Sequence, residues 1–113
     1  MKIWVFDDNL LWTTRLVRGL AALGHRAEPL LDIPIGEPRA DAALLNLSSK
    51  RVKEAMLIPR LRAMEILTIG FAGHKEKQLL EEGAALGCDV LATNSEVALN
   101  LEHLMARVLT ATR

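Results

Sequence analysis

The side chains best placed to do chemistry come directly after short apolar runs. Asp7 and Asp8 follow the apolar run at 2–6, and Asn46 lies near the end of a second such run. Two adjacent carboxylates supply oxygen ligands of the kind that Mg²⁺ binds. Such side chains also cap helices, because they accept hydrogen bonds from the free amides of the first turn. The sequence predicts a helix cap at Asp8 or Asn9, with divalent-metal binding by Asp7 and Asp8 as the alternative.

The other reactive residue types show no arrangement typical of catalysis. The three histidines, His25, His74 and His103, are far apart and lack the spacing of metal ligands. The single cysteine, Cys88, excludes an internal disulfide and a four-cysteine zinc site. No nucleophile is paired with a base in a recognisable motif. The sequence therefore predicts a protein that is not an enzyme.

Length and composition indicate one soluble globular domain over residues 1–113. Half of the residues are hydrophobic and a quarter are charged, which argues against disorder. The 14 basic and 14 acidic residues cancel, so nucleic acid is an unexpected partner. No apolar run approaches the roughly 20 residues of a membrane-spanning helix. Asp7 and Asp8 come too early for a signal peptide, and a cytoplasmic location is expected.

Apolar runs alternate with helical patterns along the chain. The predicted strands are 2–6, 25–31, 41–47, 65–71 and 89–93. The predicted helices run from the Asp8 or Asn9 cap to Leu23, from a Ser48 or Ser49 cap through 50–58, from His74 or Lys75 to Leu86, and from an Asn94 or Ser95 cap onward. Pro59 is expected to interrupt the second of these helices. Pro34, Gly36 and Pro38 oppose a helix between the second and third strands.

Two helices carry a clear apolar stripe. In the first helix, Trp12, Leu16, Leu20 and Leu23 recur at helical spacing and are expected to face a sheet. In the last helix, the stripe consists of Val97, Leu101, Leu104 and Val108. Alternating strands and helices predict a parallel, doubly wound sheet with helices on both faces. Its ligand site lies at the carboxyl ends of the strands, where Asp7, Asp8, Asn46, Ala72 and Asn94 are expected to meet.

The order and spacing of these elements resemble the receiver domain of two-component response regulators. The stretches that carry the resemblance are VFDDNLLWTTRLVRGLAALGH, DAALLNL and GFAGHKEKQLLEEGAALGCDVLATNSE. It implies a three-layer, flavodoxin-like α/β fold with a five-stranded parallel sheet in the order 2-1-3-4-5. The short, proline-rich segment before the third strand departs from the family pattern, so the second helix is expected to be missing or shortened.

The resemblance also implies a chemistry that this sequence has largely lost. Receivers hold Mg²⁺ with two acidic residues, which Asp7 and Asp8 match. The attacking aspartate, the hydroxyl residue and the lysine of the family are matched by Asn46, Ala72 and Asn94. An amide nitrogen is a very poor nucleophile, so no acyl phosphate is expected. We expect Asn46 to hydrogen-bond Asp7, Asp8 or nearby amides instead. No cofactor is predicted, with Mg²⁺ as the open alternative.

These observations predict a stand-alone pseudo-receiver that acts in signal transduction by binding a regulatory protein, without phosphorylation. The alternative is a domain that binds a small molecule or a divalent metal at the strand-end pocket. A homodimer through the fourth helix, fifth strand and fifth helix is a further hypothesis. In this family numbering, which counts the missing second helix, the fourth helix ends at Leu86 and the fifth is the last one. The hypothesis rests on Ala98, Met105 and Leu109, which widen the apolar face of the last helix. Lys50, Arg51 and Lys53 form either a partner-binding patch or an ordinary solvated helix face.

Overall fold

The computed structural model describes residues 1–36 and 39–111. Its sheet is parallel throughout, with five strands in the order β2-β1-β3-β4-β5. The strands are β1 (Lys2–Phe6), β2 (Arg26–Pro29), β3 (Ala42–Asn46), β4 (Leu67–Ala72) and β5 (Val90–Thr93). The predicted fold class and strand order are confirmed. Because β1 lies between β2 and β3, the chain order reverses at β1, and a crevice opens at the carboxyl ends of β1 and β3.

Helices cover both sides of this sheet. They are α1 (Leu10–Ala22), α2 (Lys50–Glu54), α3 (Leu57–Ala63), α4 (Lys77–Leu86), α5 (Asn94–Leu99) and α6 (Leu101–Thr110). One apolar core joins the sheet to α1, α5 and α6, which we call the first face. A second core joins it to α2, α3, α4 and the β2–β3 loop, which we call the second face. None of the helices in the described part of the chain is long and apolar enough to span a membrane.

Helix α1 forms largely where its capping residues and apolar stripe predict it. The Asn9 side chain accepts a hydrogen bond from the Trp12 backbone N–H at 3.1 Å and so caps the first turn. Leu16 and Leu20 are buried against the sheet. The prediction for Leu23 is wrong, because this residue is 37% exposed. Leu23 is the C-cap of α1, so its backbone already leaves the helix and its side chain lies outside the buried stripe.

The second predicted helix breaks earlier than expected, and Pro59 does not interrupt it. Helix α2 ends at Glu54, and the chain turns at Met56, whose φ of 52° is left-handed. Helix α3 then begins at Leu57, so Pro59 lies in its first turn. Backbone N–H groups there have no helical acceptor, and a residue without an N–H loses no hydrogen bond. We call the turn at 55–56 the elbow.

The closing helix is also divided in two. Thr93, rather than Asn94 or Ser95, caps α5 by accepting a hydrogen bond from the Glu96 backbone N–H at 3.2 Å. Asn100, with φ of −142°, separates α5 from α6. A buried stripe survives this break and contains Val97, Leu104 and Val108, with Leu101 half-buried.

A loop replaces the helix that usually follows the second strand of such a sheet. The described residues between β2 and β3, at 30–36 and 39–41, contain no helix, while Pro38 lies outside the described residues. Leu30 and Ile33 pack against the second core. The loop is fastened to α2 and α3, because Arg51 Nε donates to Leu31 O at 2.7 Å and Arg60 pairs with Asp32 at 3.1 Å.

Candidate functional site

The strand-end crevice brings most of the predicted site residues together. Asn46 ends β3 beside Asp7, and Asn94 begins α5 directly after β5. Asn46 and Asn94 line one shallow cavity of about 310 Å³ together with Asn9 and Trp12. Ala72 ends β4 but is buried, so it contributes a methyl group beneath the crevice and no polar contact. This cavity is therefore lined by neutral amides and one aromatic ring, with Asp7 beside it under Asn46.

Both ends of the Asn46 amide are engaged in hydrogen bonds. Its Nδ2 donates to Asp7 Oδ1 at 3.2 Å. Its Oδ1 accepts from the backbone N–H of Ser48 at 3.0 Å and from the Ser48 hydroxyl at 2.7 Å. The predicted contact of Asn46 with an acidic residue is thus observed. The side chain acts as a link between β1 and the start of the next loop.

Asp7 is buried, and its two carboxylate oxygens have different surroundings. Oδ1 accepts from Asn46 and from the backbone N–H of Asn9 at 3.0 Å. Oδ2 is buried and has no hydrogen-bond partner among the described residues. Burial raises the pKa of the Asp7 carboxyl, and the hydrogen bonds from Asn9 and Asn46 oppose that rise. The neighbouring charge of Asp8 raises the pKa further.

Asp8 is exposed and is held by a serine that the site predictions did not include. Ser49 Oγ donates to Asp8 Oδ2 at 2.8 Å, and the same hydroxyl accepts the Val52 N–H to cap α2. Ser49 was expected only as a helix cap. The signal for its second role is its position three residues after Asn46, which places Ser49 at the same edge of the sheet as Asp8.

The crevice does not fit the Mg²⁺ site that the resemblance implies. Mg²⁺ requires nearly ideal octahedral oxygen coordination. Here Asn46 turns its amide nitrogen towards Asp7 and its oxygen towards Ser48, while Ser49 occupies one oxygen of Asp8. Across the described residues no group of three or more histidine, cysteine or acidic side chains is positioned to hold a metal ion.

The basic patch of the sequence is mostly used inside the molecule. Arg51 bonds to the β2–β3 loop, and Lys53 Nζ lies 3.8 Å from Glu82 Oε2 of α4. Arg60 pairs with Asp32, and Arg62 bonds to Gly87 O and to Asp89. Of the patch residues, only Lys50 shows no such partner within the described chain. Most of these cations therefore have partners within the described part of the domain.

The partner surface predicted on the last helix is only partly exposed. Met105 is 4% exposed and belongs to the first core, so its prediction as a partner-facing residue is wrong. The buried face of α6 is wide enough to include Met105 beside Leu104 and Val108. Ala98 is half-buried and Leu109 is exposed.

The remaining nucleophilic and imidazole groups are structural. Burial raises the pKa of the Cys88 thiol to about 11, which leaves it protonated and unreactive at neutral pH. His25 Nδ1 lies 3.1 Å from the amino-terminal nitrogen of Met1. Burial, with help from that ammonium group, lowers the pKa of His25. Neither residue lines the crevice.

Comparison with known proteins supports the fold. The sequence matches no protein-family model and no curated protein. Among solved structures, the chain is similar to a response regulator receiver protein from Burkholderia phymatum, with 16% identity, a TM-score of 0.79, and coverage of 98% of this chain and 96% of that one. It is similar to the chemotaxis response regulator CheY4 of Vibrio cholerae, with 15% identity, a TM-score of 0.78, and coverage of 95% and 97%.

A third similar structure is a CheY-like protein, tadZ, from Pseudomonas aeruginosa PAO1. It shares 15% identity with a TM-score of 0.73, and the match covers 96% of this chain and 98% of that chain. At such identities the likeness concerns the backbone and not the chemistry of the pocket. The solved structures and the strand order agree on one conclusion: the chain adopts the fold of response-regulator receiver domains.

Proposed function

We propose that this protein is a pseudo-receiver, a regulatory domain that signals by protein contact without forming an aspartyl phosphate. The observation that carries the proposal is Asn46 at the end of β3. Its amide nitrogen is a very poor nucleophile, and both ends of the amide are engaged by Asp7 and Ser48. No attacking oxygen stands at this position.

The groups around Asn46 also suit a phosphoryl group poorly. A transferred phosphoryl group brings a charge of about −1.5 to −2 and needs donors or cations around its oxygens. Ala72 offers a buried methyl group, and Asn94 offers a neutral amide. Asp7 and Asp8 would repel the incoming anion, because the crevice does not fit the metal that would neutralise them.

A receiver fold without this chemistry has to act through its surfaces. Its conformational equilibrium cannot be shifted by a covalent bond at Asn46, so a partner has to shift it by binding one state better than another. A regulatory protein is the proposed partner. Self-association through α4, β5 and the closing segment α5–α6 is a further hypothesis, with Ala98 and Leu109 as its contact residues. A mass that does not change with concentration would exclude it.

Treatment with acetyl phosphate and Mg²⁺ tests the proposal directly. Intact-mass spectrometry should show no added phosphoryl group on the wild type or on Asn46→Asp alone. In both proteins Ala72 offers no hydroxyl and Asn94 no positive charge to bind the phosphoryl oxygens. The triple variant Asn46→Asp, Ala72→Thr and Asn94→Lys is the matched positive control, and it should gain some modification. A phosphoryl group on the wild-type protein, mapped to any acidic residue of the crevice, would contradict the proposal.

The second candidate function is binding of a small molecule in the crevice. The observation that favours it is the cavity of about 310 Å³. Small-molecule sites usually measure about 300–1,000 Å³, so this cavity is at the lower limit. Titration with common nucleotides and with Mg²⁺, followed by NMR, discriminates the candidates. Absence of shifts at Asp8 and Asn46 would exclude this function.

A further inference from the structure

A second cavity, apolar and separate from the crevice, lies between the elbow and α4. It measures about 60 Å³, and we call it the elbow cleft. Met56 and Pro59 form one wall, Leu79 and Leu86 form the other, and Leu47 lies between them. The proposed loss of phosphorylation does not involve this cleft, so the cleft is a candidate for a separate binding site.

Two local features of the chain shape the walls of the cleft. Met56 has a left-handed backbone, which costs a residue with a side chain about 1–2 kcal/mol. Despite being a large apolar side chain, Met56 is 57% exposed. On the opposite wall, the only fully buried residue of α4 is Gly83. A Cβ atom at Gly83 would lie 2.9 Å from Leu47 Cδ1, so α4 touches the core at this point and leaves Leu86 44% exposed.

The size of the cleft decides what class of ligand it can take. Its volume of about 60 Å³ lies well below the roughly 300–1,000 Å³ of small-molecule sites. There is room for one aliphatic side chain rather than for a metabolite. Leu47, Met56 and Leu86 offer such a side chain an apolar contact, and methionine adapts readily to different partners.

The rim of the cleft carries one charge of each sign. Lys53 on α2 and Glu82 on α4 face each other at 3.8 Å, and both side chains are about half exposed. Exposed ion pairs of this kind contribute little to stability, in the range of about 0–1 kcal/mol. The pair can therefore be exchanged for ion pairs with another molecule at little cost. A complementary ligand has an acidic group on the α2 side and a basic group on the α4 side.

We propose that the elbow cleft binds an amphipathic helix of a partner protein, with one aliphatic side chain inserted between Met56 and Leu86. An acidic residue of that helix pairs with Lys53, and a basic residue pairs with Glu82. Helices commonly bind in this way, in apolar grooves between two other helices. The inference rests on the proposed function, because it assigns a surface to the protein contact by which the domain signals.

The test uses a display library of short helical peptides with varied aliphatic and charged positions, selected on the wild-type protein. Selected peptides should carry an aliphatic anchor flanked by opposite charges. The variant Lys53→Glu with Glu82→Lys keeps the internal ion pair but reverses the rim. It should weaken peptide binding about tenfold, as expected for reversing two rim ion pairs, and exchanging the peptide's own charges should restore the affinity.

Two further variants separate the cleft from other surfaces. Leu86→Glu places a charge in the cleft wall and should abolish binding, while Leu10→Glu, at an exposed leucine of α1, should leave it unchanged. Circular dichroism checks that each variant is folded. If Leu86→Glu does not fold, Leu86→Gln replaces it. Selection of no peptide, equal binding to the charge-reversed protein, or dependence on Leu10 would overturn the proposal. So would a homodimer that Leu86→Glu dissociates, because a second copy would then occupy the cleft.

The outcome is distinguishable from failure of the proposed function. If the wild type resists acetyl phosphate but selects no cleft-dependent peptide, the cleft inference alone fails. If the wild type becomes phosphorylated while the peptides still bind through Leu86, the pseudo-receiver proposal alone fails.

Discussion

The two faces of the sheet are built in different ways. On the first face, α1 and α6 each bury three residues against the sheet: Thr13, Leu16 and Leu20 from α1, and Leu104, Met105 and Val108 from α6. On the second face, α4 buries only Gly83 completely, a loop replaces a helix, and the elbow leaves a cleft. In the described chain, both non-glycine residues with positive φ, Met56 and Glu65, also lie on the second face.

This difference agrees with the proposal that the second face binds a partner at the elbow cleft. The helices of the first face bury more side chains against the sheet, and this burial mainly stabilises the fold, while Leu10, Leu11, Leu99 and Leu109 remain exposed. The second face accepts left-handed backbone at Met56 and incomplete burial of α4, and such features are expected where a protein meets a ligand. The crevice lies between the faces, with Asn9 and Asn94 supplied by helix starts of the first face and Ser49 by the second.

The strongest test of the comparison is a pair of leucine truncations. Leu20→Ala on the first face removes a fully buried side chain and should cost about 2–5 kcal/mol of unfolding free energy. Leu80→Ala on the second face removes a half-buried side chain of α4 and should cost about 1 kcal/mol. Urea denaturation measures both. Equal losses would show that α4 is held as firmly as α1.

A smaller loss is expected from the ion pair that joins α6 to α5. Arg107 donates to both carboxylate oxygens of Glu96 at 2.7 Å and to the Leu91 backbone oxygen at 3.0 Å. Arg107→Ala should cost about 1–2 kcal/mol, a value reduced for solvent screening because the side chain is 41% exposed. Arg107→Lys keeps the charge but loses the Nη2 bond to the Leu91 backbone oxygen, so it should recover only part of the loss. Full recovery would mean that charge alone matters.

The burial of Asp7 in the crevice should make the stability of the protein depend on pH. Burial raises the pKa of Asp7 in the folded state, so the folded protein binds this proton more tightly than the unfolded chain does. Stability is then lost as pH rises from the unfolded pKa through the raised folded pKa. Asp7→Asn removes this loss and should make the protein more stable than the wild type at neutral pH, because a neutral amide costs less to bury than a carboxylate.

Melting temperatures of wild type and Asp7→Asn between acidic and neutral pH check this prediction. The two curves should converge in acid, where Asp7 is protonated in both states, and separate as pH rises. Parallel curves would show that burial does not perturb Asp7. Glu81→Gln is the control, and its curve should follow the wild type closely, because Glu81 is exposed on α4, away from the crevice.

The sequence predicted what depends on local pattern. The five strands and the meeting of Asp7 with Asn46 follow from apolar runs and from the geometry of parallel sheets, whereas the strand order was implied by the resemblance to receiver domains. The elbow was missed because Met56, and not a glycine, takes the left-handed backbone, while Pro59 suggested a break too late. The break at Asn100 was missed because the apolar stripe continues through it.

Tertiary contacts explain the other errors and omissions in the site. The link between Ser49 and Asp8 joins residues 41 positions apart, and its one sequence signal is the position of Ser49 shortly after Asn46. The basic patch looked free in the sequence because the acceptors of Arg51 and Arg60 lie 20 and 28 residues away. Met105 was predicted to face a partner because the sequence does not show how wide the buried face of the last helix is. That width depends on what packs against the helix.

The smallest expected effect concerns the fastening of the β2–β3 loop. Arg60 pairs with Asp32 at 3.1 Å, but both side chains are about half exposed, so Arg60→Ala should change the unfolding free energy by less than about 0.5 kcal/mol. Its effect should instead be local, with faster amide hydrogen exchange in the loop at 30–36 and little change in α1. A loss as large as that of Arg107→Ala would mean that surface ion pairs hold the second face as firmly as the first. The second face would then be too rigid to adjust around an inserted side chain, and the elbow cleft would lose its physical basis.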